Sequence, residues 1–282
     1  MEKRIREAAQ AVTDPAERCV EILEDQNGLK ISEACGATLH EVYKSAMRIG
    51  IWPYRYLRNR DSLSIEDQLK LAESKVAVIG AGGLGGGVIL LLARMGVGHL
   101  VVVDKDVFDE TNLNRQALSS MDTIGRPKAA VAAQTVAMVN PAVTVTPLQT
   151  SIGDENAPEI LEGSDVAVDG LDNVATRRIL DAAAQKMEIP LVHGALAGFE
   201  GQMMTVFPGD PGMKVLYGSG DNGPRNPNRP EAVLGVPTIT PAVIGAFQAM
   251  EVMKILLKRG RPFRKVMVHV DLETGQWDEF MF

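Results

Sequence analysis

The polarity pattern divides the chain at about residue 52. Beyond it, short apolar, β-branched runs alternate with longer stretches spaced like amphipathic helices. Strands are predicted over 75–79, 99–103, 143–146, 165–168, 190–193, 201–207, 266–270 and 276–280. Helices are predicted over 63–74, 88–95, 127–140, 174–187 and 240–258, with Pro127 and Thr240-Pro241 as start signals for 127–140 and 240–258. Strand and helix in alternation argue an α/β fold: a doubly wound, mostly parallel, Rossmann-like sheet, closed by antiparallel C-terminal strands. Residues 1–52 read differently, as a small helical module. Helices are expected over 2–10 and 16–25, with Asp14-Pro15 as the second start signal. Residues 31–38 and 39–49 then read as helix, Gly36 turn, helix, a helix-turn-helix-like pattern. It is either a DNA-contacting unit or a helical cap; no dense Arg or Lys cluster marks its second helix, which favours the cap.

Composition narrows the classes. A net charge of -7 over 282 residues argues against a protein built mainly to bind nucleic acid or an anionic membrane. The two cysteines, Cys19 and Cys35, supply neither a disulfide framework nor a zinc-type CxxC pair. The N-terminus lacks the apolar core of a signal peptide, so the cytoplasm is the expected compartment and no membrane span is expected. His40, His99, His193 and His269 have no ligand spacing and read as ordinary structural histidines. Residues 208–238 are rich in proline, glycine and asparagine. A segment that long is either a mobile crossover loop beside an active site or a disordered insertion. The methionine-bearing face of 240–258 reads as core or dimer packing.

Candidate chemistry concentrates between 75 and 128. The strand at 75–79 runs into Gly80-Ala81-Gly82-Gly83-Leu84-Gly85 and then a helix, the context in which such glycines approach phosphate. Asp104 ends the next strand, where an acid normally takes a ribose hydroxyl. Asp106, Asn112-Leu113-Asn114-Arg115-Gln116 and Gly125-Arg126-Pro127-Lys128 follow. Hydride transfer has no need of Arg115 and Lys128; phosphate chemistry does, because fixed cations screen a nucleophile from a triphosphate. The glycines, Asp104 and Asp172 all fall just past strand ends, which share one edge in a parallel sheet.

Together these residues, with Arg55-Tyr56-Leu57-Arg58-Asn59, Leu171-Asp172-Asn173-Val174, Glu200-Gly201-Gln202 and Gln248-Ala249-Met250-Glu251, resemble the ThiF/MoeB/HesA family of ubiquitin-activating-type adenylyltransferases, nearest its molybdopterin-synthase branch. The resemblance covers 53–282 as an adenylation domain with a crossover loop at about 208–238. It implies ATP and magnesium as cofactors, and adenylation of the C-terminal glycine of a small ubiquitin-like carrier ending Gly-Gly. It implies that Gly83 meets phosphate, Asp104 the ribose, and Asn112 and Arg115 the phosphates. Lys128 would stabilise the α-phosphate, and Asp172 would hold magnesium. Arg58 matches an arginine that reaches the triphosphate from the other subunit of a homodimer. The motif match adds Gly80, Gly82, Gly85, Asp106, Asn114 and Asn173 to the nucleotide site. Family members often carry zinc-binding CxxC pairs flanking the crossover loop, and a loop cysteine that links covalently to the carrier. Neither is present, so no zinc is expected and a sulfurtransferase is a candidate partner. Two other readings stay open: an enzyme like the tRNA threonylcarbamoyladenosine dehydratases, and a nucleotide-sensing regulator using the N-terminal helix-turn-helix.

Overall fold

The first fifty residues mix helix and strand in the computed structural model, which describes residues 1–218 and 233–282. Helix α1 (Glu2–Ala8) is followed by an antiparallel hairpin of β1 (Gln10–Thr13) and β2 (Cys19–Leu23). The helix expected over 16–25 is therefore corrected to a strand. Asp14 is the reason: one carboxylate oxygen accepts the amides of both Ala16 and Arg18 at 2.9 Å, and Glu17 takes φ 60°, so the chain reverses. Val20 and Ile22 then alternate inward as in any half-buried strand. The predicted helix pair exists, with the first helix starting at 25 rather than 31 and ending before Gly36, as α2 (Asp25–Cys35) and α3 (Leu39–Arg48). Gly36, at φ 60°, ends α2 in the left-handed conformation that glycine tolerates. A Thr38–Glu41 capping box starts α3. The short strand β3 (Trp52–Pro53) joins β2 in parallel, so the module holds a three-stranded sheet as well as helices.

This module is seated on the rest of the chain. One apolar cluster runs from Ile5, Val42 and Trp52 into Tyr56, Ala72 and Ala142. His40 bonds the carbonyl of Ala142 at 3.1 Å, and Arg48 pairs with Glu73 at 2.5 Å. Helix α3 thus spends one face on the main body, as a cap would.

The main body follows the predicted alternation. Ser64 caps α4 (Ile65–Glu73), and the eight-stranded sheet begins at β4 (Lys75–Ile79). After β4 come α5 (Gly83–Met95), β5 (His99–Val103), α6 (Lys128–Val139), β6 (Thr144–Leu148), α7 (Ala157–Leu161), β7 (Val166–Asp169), α8 (Val174–Lys186), β8 (Leu191–Ala197) and β9 (Glu200–Val206). The one-turn α9 (Lys214–Tyr217), then α10 (Ile239–Leu257), β10 (Val266–Asp271) and β11 (Gln276–Met281) complete the described elements. The strand order is β11-β10-β9-β8-β7-β4-β5-β6. Strands β6, β5, β4, β7 and β8 run parallel; β9, β10 and β11 are added antiparallel. Strand β4 is central, and its chain continuations leave in opposite directions across the sheet, which makes the gap between β4 and its neighbours the switch point.

Alternate residues of β4 serve two cores. Val76 and Val78 pack with Val88, Ile89, Leu92 and Val136 on one side. Ala77 and Ile79 pack with Ile160, Leu180 and Ala184 on the other. Full burial of each such side chain contributes roughly 1.5–3 kcal/mol. Helix α10 is nineteen residues long and apolar enough by length to cross a bilayer. Here it packs on α5 and β8, with Ile244, Val252 and Leu256 buried. Its start differs from the expected cap: the helix begins at Ile239, and the hydroxyl of Thr240 donates to the carbonyl of Gly198 at 2.6 Å. Of the predicted crossover segment, residues 219–232 lie outside the described residues.

Candidate active site

The glycine turn after β4 separates into two jobs. Gly80 takes φ 100°, donates its amide to Val103 at 2.7 Å, and leaves no room for a side chain: a Cβ would lie 2.4 Å from the carbonyl oxygen of Gly170. A Cβ on Gly85 would lie 1.8 Å from the Gly80 oxygen. These two glycines let helix, turn and strand touch. Gly82 is open instead; its nearest non-neighbouring atom is Gln116 Nε2, at 3.8 Å from a Cβ position. Gly82 and Gly83 start α5, and no side chain caps that helix. The expected start at residue 88 is corrected to Gly83, because Gly85 and Gly86 are inside the first turn, where Val78 and Leu118 crowd them. An uncapped N-terminus beside an open glycine is a cradle for an anion.

Asp104 is tied to this turn. One carboxylate oxygen accepts the Ala81 amide at 2.8 Å and the other the Asp106 amide at 2.8 Å. Each oxygen keeps a further lone pair for a hydroxyl. The chain then leaves as a loop and returns. Phe108 donates its amide to Arg126 at 3.0 Å, and the Lys128 amide donates to Asp106 at 3.0 Å. That closure sets Lys128 as the first residue of α6 beside the glycine turn. Its side chain is buried; Nζ lies 3.9 Å from Asp106 Oδ2 and 5.8 Å from the Phe108 ring centre. The carboxylate is too far for a hydrogen bond, so the ammonium keeps donors to spend.

Within the loop, Asn112 is buried and its Oδ1 accepts the Asp109 amide at 3.2 Å. Arg115 donates to the Thr111 carbonyl at 2.9 Å and to Asn114 Oδ1 at 2.8 Å. The Arg115 carbonyl lies 3.8 Å from the Cβ position of Gly83. Asn114 is exposed and reaches the Val236 carbonyl at 3.4 Å. Asp172 is exposed past β7, two residues beyond the glycine that Gly80 touches, and accepts from Asn173 Nδ2 at 3.3 Å. Asn173 uses its Oδ1 to cap α8, on the Thr176 amide at 2.9 Å. The glycines, Asp104, Asp106, Asn112, Arg115 and Lys128 therefore meet through direct contacts, with Asp172 and Asn173 on the same sheet edge. Arg58 does not join them. Its neighbours Tyr56 and Asn59 lie at the far end of α5: Tyr56 bonds Asn140 at 2.7 Å and abuts Gly96, and Asn59 bonds Gln68 at 2.9 Å.

Two features were not picked out from the residues. Gln116 is buried beside Gly82, and its Oε1 has no partner among the described residues. Its amide donates to the Asn112 carbonyl at 2.9 Å, so one helical turn presents both side chains, and the four-residue spacing was the available signal. The second is a buried polar group under Asp172. Asp169, wholly buried at the end of β7, forms an ion pair with Arg177, its Oδ2 3.1 Å from Nε, and a hydrogen bond with His193 Nδ1 at 2.7 Å. Burial pushes the Asp169 carboxyl up, but the Arg177 guanidinium and the His193 hydrogen bond hold it below its ordinary value. Burial holds the His193 pKa down despite Asp169, so the imidazole is neutral. His193 is structural, as expected, and each of His40, His99 and His269 also bonds within the fold.

An open glycine, a free helix N-terminus, a ribose-type acid, the buried Lys128 and the half-buried Arg115 are the parts that phosphate and ribose binding need at the switch point of a Rossmann-like sheet. The ThiF family profile matches residues 56–282, and the chain belongs to the ThiF family. It is 43% identical over 209 residues to the SAMP-activating enzyme E1 of Haloferax volcanii, covering 73% of this chain and 76% of that protein. It is 38% identical over 208 residues to the sulfur carrier protein adenylyltransferase of Thermus thermophilus, covering 70% and 74%. Among solved structures, Escherichia coli MccB with MccA-N7isoASN superposes with a TM-score of 0.69 at 20% identity, over 80% of this chain and 72% of that one. That last likeness concerns the fold.

Proposed function

We propose that this protein uses ATP to adenylate the C-terminal glycine carboxylate of a ubiquitin-like sulfur-carrier protein, with release of pyrophosphate. The observation that carries the reading is Lys128: a buried ammonium at a helix start, 3.9 Å from Asp106 and tied through Asp106 and Asp104 to the glycine turn that opens the uncapped α5. A carboxylate attacking a triphosphate brings like charges together, at a cost of roughly 4 kcal/mol per pair at 4 Å and an effective dielectric near 20. Lys128 and Arg115 offset terms of that size where charge builds at the α-phosphate. The open cradle at Gly82 and Gly83 fits phosphate, and the free lone pairs of Asp104 fit a ribose hydroxyl. Among the described residues no group of three or more His, Cys, Asp or Glu is placed to hold a metal. A magnesium ion at Asp172 would draw its other ligands from phosphate and water, which is how that ion is usually held.

The working unit in this reading is a homodimer. An exposed apolar strip on α10, from Ile239 through Val243 and Ala246 to Met250, lines a groove of about 580 Å³ and suits burial against a second copy. Arg58, remote from its own glycine turn, then serves the partner's site. Both cysteines lie in the N-terminal module, away from the adenylating edge. In this reading a sulfurtransferase partner supplies the sulfur after the acyl-adenylate forms. A cytoplasmic location, where ATP is at hand, belongs to the same reading.

The test is ATP–pyrophosphate exchange with a purified carrier ending Gly-Gly. Exchange should depend on the carrier and fall by about a hundredfold or more in Lys128→Ala and Asp172→Ala. Exchange that responds to tRNA and to no carrier would move the substrate to a nucleic acid and overturn this reading.

A further inference from the structure

The segment that follows β9 is held by side chains of α8, and the way it is held reaches the Asp172 loop. Helix α8 presents Arg177, Arg178, Asp181 and Gln185 along one face, at helical spacing. Each grips the chain between 207 and 218. Gln185 bonds the carbonyls of Phe207 and Asp210 at 3.3 and 3.4 Å and accepts the Gly209 amide at 2.9 Å. Asp181 accepts the Met213 amide at 2.8 Å, against Gly212 at φ 71°. Arg178 donates to the carbonyls of Tyr217 and Gly218 at 2.7 and 3.0 Å. From the other side, Arg264 forks onto Asp210 at 2.8 to 3.2 Å.

Arg177 stands apart because it faces two ways. Its guanidinium donates to the hydroxyl of Tyr217 at 3.1 Å and to the carbonyl of Leu171, the residue before Asp172, at 2.6 Å. It also pairs with Asp169 at 3.1 Å, and only 8% of the residue is exposed. Tyr217 in turn meets His193 Nε2 at 3.3 Å and accepts from Gln202 at 3.2 Å. A planar guanidinium fixes the direction of each bond it makes, so Leu171, Asp169 and Tyr217 are positioned relative to one another by one rigid group.

We propose that Arg177 is a positioning residue: with Tyr217 it couples the root of the crossover segment to the loop that carries Asp172. A change in how the 207–218 segment is held is passed to Asp172 through this guanidinium. The inference rests on the adenylation reading for the role of Asp172, but the coupling can be read without it.

The experiment uses the full chain with Tyr217→Phe and Arg177→Lys. The first removes one oxygen from the pair, and the second keeps the charge but loses the fork. Deuterium uptake of the amides at 171–174 should rise in both, while circular dichroism stays that of the wild type. Carrier-dependent exchange should fall about tenfold, the size of one hydrogen bond to a charged group. On an Asp172→Asn background either substitution should have no further effect, because the pathway already ends there. Unchanged uptake at 171–174, or losses that multiply with Asp172→Asn, would overturn the coupling. A wild-type protein with no carrier-dependent exchange would sink the adenylation reading, and the uptake comparison would still decide whether Tyr217 reaches the Asp172 loop.

Discussion

Two glycines three residues apart in one motif face opposite tests. At Gly85 an added methyl would meet the Gly80 oxygen at 1.8 Å, and backbone cannot yield cheaply. Gly85→Ala should destabilise by about 2 kcal/mol or more, as overpacking does, a fall of roughly 4–8 °C in melting temperature. At Gly82 the methyl meets nothing closer than 3.8 Å, and the only cost to alanine is a ψ of -143°, outside its ordinary regions. Gly82→Ala should therefore lose clearly less melting temperature than Gly85→Ala, while its KM for ATP rises about tenfold through lost approach to phosphate. Calorimetry and exchange kinetics on the two variants separate the roles; equal effects on stability would show that Gly82 too is there for packing. The motif in the sequence names all the glycines at once. Only the distance to Gly170 and Gln116 says which of them a ligand could approach, and those distances are set by chain far along the sequence. Lys128 was legible because Pro127 marks a helix start, and its burial follows from the return of the loop to Asp106. Gln116 was quoted with its neighbours but given no role, since polarity alone does not show that a side chain is buried without a partner.

At the level of elements, the strands and the longer helices beyond residue 60 were legible because period and length agreed, while the short α7 and α9 carry too few residues for a period to show. The hairpin at 10–23 was not: Val20, Ile22 and Leu23 satisfy a helical face as well as a strand, and Asp14-Pro15 starts a helix in many contexts. The decision came from Asp14 taking two amides, with Arg18 and Arg60 salt-bridged to it, which closes a turn. The hold on the crossover root was equally invisible, because its parts are spread over α8, Asp210 and Arg264. It has a pH signature. Burial pushes the Asp210 carboxyl up, but the Arg264 fork and the Phe207 amide prevail and hold it below its ordinary value of 3.8. A lowered folded value stabilises above the unfolded one and is lost as pH falls through the folded one. Wild-type protein should therefore keep 207–213 protected from proteolysis from neutral pH down to about 3.8. Asp210→Asn should be cut there already at pH 7, with little further change on acidification. Equal protection of the two proteins at pH 7 would show that α8 holds the segment alone.

Across the whole molecule, the adenylating edge and the N-terminal module occupy opposite ends of the sheet. Helix α5 spans that gap: thirteen residues at 1.5 Å each make about 20 Å. Gly83 is at one end, and Tyr56 abuts Gly96 at the other. Arg58, two residues from Tyr56 and exposed, is beyond the reach of its own triphosphate cradle. If it contributes to catalysis, it does so in a second copy, and that has an arithmetic consequence. In an equal mixture of Arg58→Ala and Lys128→Ala protein, random exchange makes half of the dimers hybrid. In each hybrid both lesions fall on one site and the other site is intact, so about one quarter of wild-type sites should return. Each variant alone should be inactive, and exchange should rise as subunits mix and level off near that fraction. Mass spectrometry on differently tagged chains reports whether hybrids have formed. A mixture that stays inactive with hybrids present would leave Arg58 as a surface residue of the seat on which the N-terminal module rests, and each copy would then have to assemble its phosphate site from residues beyond 75 alone.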